Sequence, residues 1–326
     1  MASLAAAVLG TGHLGSRHAE RLAEASGFDL IAIYDQNPPR ARKVAERLGC
    51  TAARSPDAAV AAADVVVIAT STSSHHEAAH LALDAGKPVL VEKPLTGRIE
   101  EAEDLVRTAE EKKLVLHVGH VERFNPSLRR LLGNIPAPLF VESHRLAPLV
   151  PRNLDINVIQ DLMVHDLDLA IAFVGEDPLA IEAVGVPVLT EQVDIANARI
   201  RFPGGAVANL TASRVSLERV RKFRMFLPGA YISADCAARE GHVYRLKEGH
   251  ESKIQEAVRS GNPVEMAHLL DHHLEGREAE DALTAEHEAF RKAVLGERSE
   301  GVTGREALRT LRAMVAVEEA ITRGEP

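Results

Sequence analysis

A chain of 326 residues exceeds the roughly 100–200 residues that one domain usually holds, so it has room for about two domains with full cores. Its composition, 46% hydrophobic and 26% charged, excludes a disordered or membrane-embedded chain. A formal net charge of -9 without any long lysine- or arginine-rich run excludes a nucleic-acid partner, because nothing is positioned to follow a phosphate backbone.

The opening MASLAAAVLG is apolar but has no basic start and is too short to span a bilayer. It reads as a first strand of a cytoplasmic protein with no membrane partner. Cys50 and Cys236 lie far apart without metal-type spacing, so neither a disulfide framework nor a cysteine zinc site is expected. Short apolar runs at residues 5–9, 30–34, 65–69, 89–91 and 114–118 alternate with helical patterns, the sign of parallel strands joined by crossover helices. The helices have readable ends: 39–48 stops at Gly49, Ser55-Pro56 supplies a cap and a first-turn proline, and 74–85 stops at Gly86. The first half is therefore an α/β Rossmann domain with a doubly wound parallel sheet, placed over residues 1–121.

The first strand runs into Gly10-Thr11-Gly12-His13-Leu14-Gly15, a G-x-G-x-x-G that opens a helix. Gly10 makes the tight turn, Gly12 admits a pyrophosphate to the backbone and Gly15 lets helix and strand pack closely. The second strand ends at Asp35, twenty residues after Gly15, where a carboxylate accepts hydrogen bonds from the adenosine ribose. A carboxylate there repels a 2′-phosphate, so NAD is the expected cofactor. Arg40 keeps NADP open, since it can cover the adenine, pair with a 2′-phosphate or simply be a solvated charge.

After the strand ending in Ile68, Thr70, Ser71, Thr72 and His75 stand at a strand carboxyl end and so line the expected cofactor path; capping of the next helix by Ser73 or Ser74 is the structural alternative. The strand at 88–91 ends in Glu92-Lys93-Pro94. The proline forces a turn that aims Lys93 into the same crevice, where it can hold a substrate oxygen. Glu92 and Lys93 are counted with the cofactor-lining residues.

From about residue 136 the rhythm changes to a strand, a long helix and hairpins, with turns at Pro203-Gly204-Gly205 and Pro228-Gly229-Ala230. This predicts a C-terminal α+β domain over 122–302 with an open, largely antiparallel sheet. The helix 158–174 is apolar on most faces. At about 100° per residue it gathers Asp161, His165 and Asp168 into one polar stripe. His165 with an acid four residues earlier suits a general base with its orienting carboxylate, or a buried pair that only joins two domains. His268, His272 and His273 lack a third-ligand pattern and read as exposed sheet residues rather than a metal site. A helix at 285–294 follows, and Thr303-x-x-Glu306 is a capping box for a final helix reaching about 321.

With Gly10 to Gly15, Glu92-Lys93-Pro94 and Asp161-x-x-x-His165 in this order, the chain resembles, over essentially its whole length, the glucose–fructose oxidoreductase / inositol dehydrogenase / rhizopine catabolism (Gfo/Idh/MocA) family. The resemblance implies that Lys93 and His165 are the catalytic pair, that Asp161 is the supporting acid, that the final helix returns to the first domain, and that the open sheet face makes a homodimer or homotetramer. The runs Gly119 to Pro126 and Gln160 to Asp166 look like a subgroup associated with nucleotide-sugar oxidation, UDP-N-acetylglucosamine 3-dehydrogenases among them. Met163 stands where glycine is frequent in the family.

The expected reaction is hydride transfer between a nicotinamide and a secondary alcohol of a sugar or nucleotide sugar, with Arg123 and Asn125 contacting substrate or the nicotinamide end. Other readings are a reductase of a bile pigment or imine and a cofactor-binding regulator without turnover. A sensor has no need of the Lys93, Asp161 and His165 set.

Overall fold

The computed structural model of the chain describes residues 3–150, 156–261, 263, 265–276 and 281–324. The chain folds as two compact units: Met1–Phe124 with Glu280–Arg312, and Asn125–Ala279 with Ala313–Pro326.

The first unit begins with β1 (Leu4–Leu9), α1 (His13–Glu24), β2 (Phe28–Tyr34), α2 (Pro38–Leu48), β3 (Thr51–Ala52), α3 (Pro56–Ala62) and β4 (Val65–Ile68). It continues through α4 (His75–Asp84), β5 (Val89–Glu92), α5 (Ile99–Lys112) and β6 (Leu116–Gly119). The sheet order is β3-β2-β1-β4-β5-β6, parallel at every pair. The middle strands are apolar without alternation, and all of β4 and β5 is buried, as strands covered on both faces must be. Local chemistry sets the helix ends. Asn37 caps α2 by accepting from the Arg40 N–H, two prolines follow, and Gly49 closes the helix in the left-handed region. The order reverses between β1 and β4, so the carboxyl ends of these strands flank a topological switch point, where open α/β sheets take their ligands.

The second unit holds β7 (Phe140–Leu146), a π turn (Ile159–Met163) that runs into α6 (Val164–Val174), then β8 (Ala180–Val186), β9 (Ile195–Arg201) and β10 (Val207–Ser213). It goes on through β11 (Val220–Leu227), β12 (Ala230–Asp235), β13 (Glu240–Leu246), α7 (His250–Ser260), α8 (Met266–Leu269) and β14 (Leu270–Gly276). Its eight strands are ordered β14-β13-β12-β11-β7-β10-β9-β8, antiparallel except where β10 runs parallel to β7. The Pro228-Gly229 turn joins β11 to β12 with Leu227 opposite Ala230, and Gly229 takes the positive φ of 70° that this two-residue loop requires. Burial alternates along β7, β9 and β10, so one sheet face is core and the other is open. On the core side Phe173 of α6 meets Phe223 with ring centroids 5.9 Å apart. Arg145 of β7 grips Asp166 of α6 through two 2.9 Å bonds, both side chains 3% exposed. Removing one partner of such a pair leaves a bare buried charge and costs about 3–5 kcal/mol.

The last helices are α9 (Ala282–Val294) and α10 (Gly304–Arg323). The sequence places residues 122–302 in the second domain, but α9 belongs to the first unit, because Phe290 fills its core with Leu22, Phe28 and Val65, and Ala285 and Ala289 pack on Phe124. The boundary between units falls within α10, between Arg312 and Ala313. The Thr303–Glu306 capping box forms as the spacing predicts: Thr303 N–H donates to Glu306 Oε2 at 3.0 Å and Glu306 N–H donates to Thr303 Oγ1 at 3.3 Å.

Candidate active site

The glycine turn closes the end of β1 on that of β4. Gly10 has φ +90° and no room for a Cβ against the Ala69 carbonyl, and a Cβ on Gly15 would strike the Gly10 carbonyl. Only glycine permits either approach. Over Gly12, by contrast, no atom lies within 4 Å of where a Cβ would be. The N-terminus of α1 carries no side-chain cap and no acid in its first turn, while His13 and Leu14 are exposed beside it. A cradle of uncapped N–H groups under open space fits the pyrophosphate of a dinucleotide.

Asp35 follows β2 and is almost fully buried. Its Oδ2 accepts from Thr11 N–H (2.7 Å), Thr11 Oγ1 (2.8 Å) and Arg40 Nε (3.0 Å), and its Oδ1 from Asn37 N–H (2.7 Å) and Arg40 Nη2 (2.7 Å). Burial works to raise its pKa, but the bonds from Arg40, Asn37 and Thr11 outweigh it and hold the carboxyl at about 2. Arg40 is thus the counter-ion of Asp35, with half of its side chain still exposed.

Thr70, Ser71 and Thr72 follow β4 at the switch point. Ser71 Oγ lies 3.3–3.4 Å from the hydroxyls of Ser73 and Ser74, and Ser74 makes no capping bond to α4. The capping alternative is therefore not what occupies these hydroxyls. His75 is different. It is buried, with Nδ1 2.9 Å from the Pro94 carbonyl and Nε2 3.3 Å from the Thr70 carbonyl, and burial lowers its pKa against the pull of those carbonyls. Its ring braces the turn after β5 and is not available to a cofactor.

Glu92 also departs from expectation. Its carboxylate is turned inward, Oε1 accepting from His18 Nε2 at 2.7 Å and Oε2 from the Lys93 N–H at 3.1 Å, so it does not face a cofactor. Lys93, one residue on, is half-buried at the strand's carboxyl end. Arg123 and Asn125 are held by internal partners. Arg123 Nη1 lies 2.7 Å from Glu306 Oε1. In the second unit, Asn125 Nδ2 donates to the Cys236 carbonyl at 2.9 Å while its Oδ1 accepts from Ser127 N–H and Oγ. Both residues are 7% exposed.

In the second unit, Asp161 lies in the π turn and His165 in the first turn of α6, both half-buried. The wider π turn changes the phase that a uniform α pitch predicts. That change falls between Asp161 and His165, while His165 and Asp168 share the regular pitch of α6; Asp161 and His165 are half-buried and Asp168 is 1% exposed. Asn157 caps the turn by accepting from the Ile159 and Gln160 N–H groups at 3.0 Å. His268, His272 and His273 are exposed. His272 instead meets His242 at 2.9 Å, and no group among the described residues has the makings of a metal site.

Residues 4–120 match a family model described as an oxidoreductase family with an NAD-binding Rossmann fold. Residues 149–227 match the GFO/IDH/MocA C-terminal domain. A UDP-N-acetylglucosamine 3-dehydrogenase of Acidithiobacillus ferrooxidans is 40% identical over 321 residues, 97% of this chain and 98% of that one. The solved structure of such an enzyme from that organism superposes with a TM-score of 0.88 at 37% identity, covering 99% of both chains. A scyllo-inositol 2-dehydrogenase (NAD(+)) of Bacillus subtilis is 31% identical over 229 residues, 64% of this chain and 67% of its own.

Proposed function

Because the chain belongs to the GFO/IDH/MocA family of NAD-binding oxidoreductases, we propose that it oxidises the 3-hydroxyl of UDP-N-acetylglucosamine, or of a closely related nucleotide sugar, with NAD. The carrying observation is the 40% identity over 97% of the chain to an enzyme of that activity; the similarity to the B. subtilis inositol dehydrogenase extends over only 64%. The α1 cradle and Asp35 are assigned to the dinucleotide, which when bound supplies the hydride acceptor.

The protein's own part is to bind the alcohol and manage its proton. The ammonium of Lys93 holds the reacting oxygen and stabilises the negative charge that grows there, an effect that is large only where water is excluded. The imidazole of His165 takes the hydroxyl proton as the carbon–hydrogen bond gives up its hydride. Asp161, four residues earlier, orients that imidazole. The carbon ends as a ketone, the hydride on the cofactor and the proton on His165, so the step balances.

The same reading makes the enzyme a cytoplasmic homo-oligomer that associates through the open face of the eight-stranded sheet. This face carries a stacked run of Phe226, Tyr231, Tyr244 and His272, the kind of exposed apolar surface that marks an interface. Among the described residues no helix is long and apolar enough to cross a membrane. The test is NADH formation from UDP-N-acetylglucosamine and, separately, from myo- and scyllo-inositol. Turnover of an inositol alone would overturn the nucleotide-sugar assignment.

A further inference from the structure

The family chemistry gives no task to a chain of three buried polar side chains in the first unit, Glu92, His18 and His287. Glu92 ends β5, and its carboxylate joins His18 Nε2 on one oxygen and the Lys93 N–H on the other. His18 lies one turn beyond Gly15 on α1, fully buried, with Nδ1 2.8 Å from Nε2 of His287 on α9. Such a set is costly to bury unless each member holds the next.

The proton placement can be read from the partners. A carboxylate only accepts, so His18 Nε2 carries the hydrogen that it donates to Glu92. Burial, then the charges of His18 and Arg21, keep the His287 pKa well below its ordinary value. A neutral His287 therefore faces His18 Nδ1 and fixes which way the His18 ring lies. Burial pushes the Glu92 pKa up, but the hydrogen bond and charge of His18, with the Lys93 charge, outweigh it and keep the carboxyl below its ordinary range. On the neighbouring strand Gly119 stands opposite Glu92 in register. A Cβ there would come within 3.2–3.3 Å of the Glu92 carboxylate atoms, so the space is shaped for this side chain.

We propose that His18 is a positioning residue for Lys93, acting through Glu92. It holds the Glu92 carboxylate so that Oε2 fixes the Lys93 amide, and it thereby joins the helix that receives the cofactor's phosphates to the strand end that presents the lysine. This rests on the assignment of Lys93 to the reacting oxygen.

The test compares His18→Leu, His18→Gln, Lys93→Met and the double His18→Leu/Lys93→Met with wild type. It uses UDP-N-acetylglucosamine and NAD for turnover, NADH fluorescence titration for cofactor binding, and Tm for folding. His18→Leu lowers kcat by about 10–100-fold, the scale of a displaced catalytic group, with KM and NADH Kd within about 3-fold of wild type. His18→Gln regains most of that loss, because its amide N–H can donate to the same oxygen. The double is no slower than Lys93→Met by more than about 3-fold, as expected when one residue acts through the other.

Wild-type kcat in His18→Leu, a Gln variant no better than Leu, or a double at least about tenfold slower than Lys93→Met each overturns the proposal. If His18→Leu fails to fold, the Gln variant decides. Near-wild-type kcat supports the hydrogen bond as the working element, and a loss beyond about tenfold at unchanged NADH affinity overturns it. Full turnover by Lys93→Met removes the role assigned to Lys93 and this proposal with it, whereas a wild type that does not oxidise UDP-N-acetylglucosamine sinks the function assigned above. An inactive Lys93→Met beside a fully active His18→Leu sinks this proposal alone.

Discussion

Replacing Arg40 by alanine tests how the chain selects its cofactor. The Asp35 carboxylate accepts five donors, two of them from Arg40, whereas a carboxylate offers about four lone-pair sites. A ribose hydroxyl finds an open site only if Arg40 releases both of its bonds, which leaves three donors. The Arg40 side chain is 50% exposed, so water and salt discount the pair to about 0.5–1 kcal/mol despite its bidentate geometry. Without that competitor NAD binds more tightly by the same amount, about 2–5-fold in Kd. NADP moves the other way. It loses the cation paired with Asp35, which can meet a 2′-phosphate, and faces an uncovered carboxylate, a combination expected to weaken it by about tenfold or more. Isothermal titration of wild type and Arg40→Ala with each cofactor reads both shifts. NAD affinity that falls, or NADP affinity that holds, would refute the reasoning and return Arg40 to direct contact with the nucleotide.

Lys93→Met and His165→Asn each lower kcat by about 10²–10⁴-fold with NAD affinity nearly unchanged, measured by steady-state kinetics and titration; near-normal kcat with a depressed Tm would mark either residue as structural. Asp35 has its folded pKa lowered to about 2 from 3.8, so the stability it contributes is complete above the unfolded value and drains away as pH falls from about 4 towards 2. Asp35→Asn should therefore flatten that part of the acid-unfolding profile followed by circular dichroism. Gly119→Ala sets a methyl 3.2–3.3 Å from a carboxylate pinned on both oxygens, and thermal unfolding should show a loss of about 1–3 kcal/mol. A neutral result would mean that Glu92 has room to yield.

What the sequence makes legible is whatever sits in a short run with its own chemistry. Gly10 to Gly15 after an apolar strand, Pro228-Gly229 between alternating strands and Thr303 with Glu306 each contain both halves of the interaction they form. The two-residue β3 is too short for any period to reveal. The inward turn of Glu92 and His75 is invisible because their partners, His18 and the Thr70 and Pro94 carbonyls, come from other elements. The pattern of β2 locates Asp35 at its strand end, but its capture by Arg40 depends on a rotamer, not a spacing. His18 did leave a trace. It stands four residues before Leu22, on the face of α1 that also buries Ala19, and a histidine on an apolar helix face asks for a partner.

The π turn at Ile159–Met163 has a bearing on how this chain compares with its relatives. A π turn holds one residue more than the α turn it replaces, and each residue gained or lost in a helix rotates everything before it by about 100°. Loss of a single residue between 159 and 163 would wind the stretch back to α pitch and swing Asp161 around the helix axis relative to His165, although neither side chain had changed. If Asp161 orients His165 as proposed above, a relative with a straight α-helix here would have to draw that acid from another position in the sequence. Aligning the acid and the histidine column by column across that difference in length would then pair a working carboxylate with one that points elsewhere.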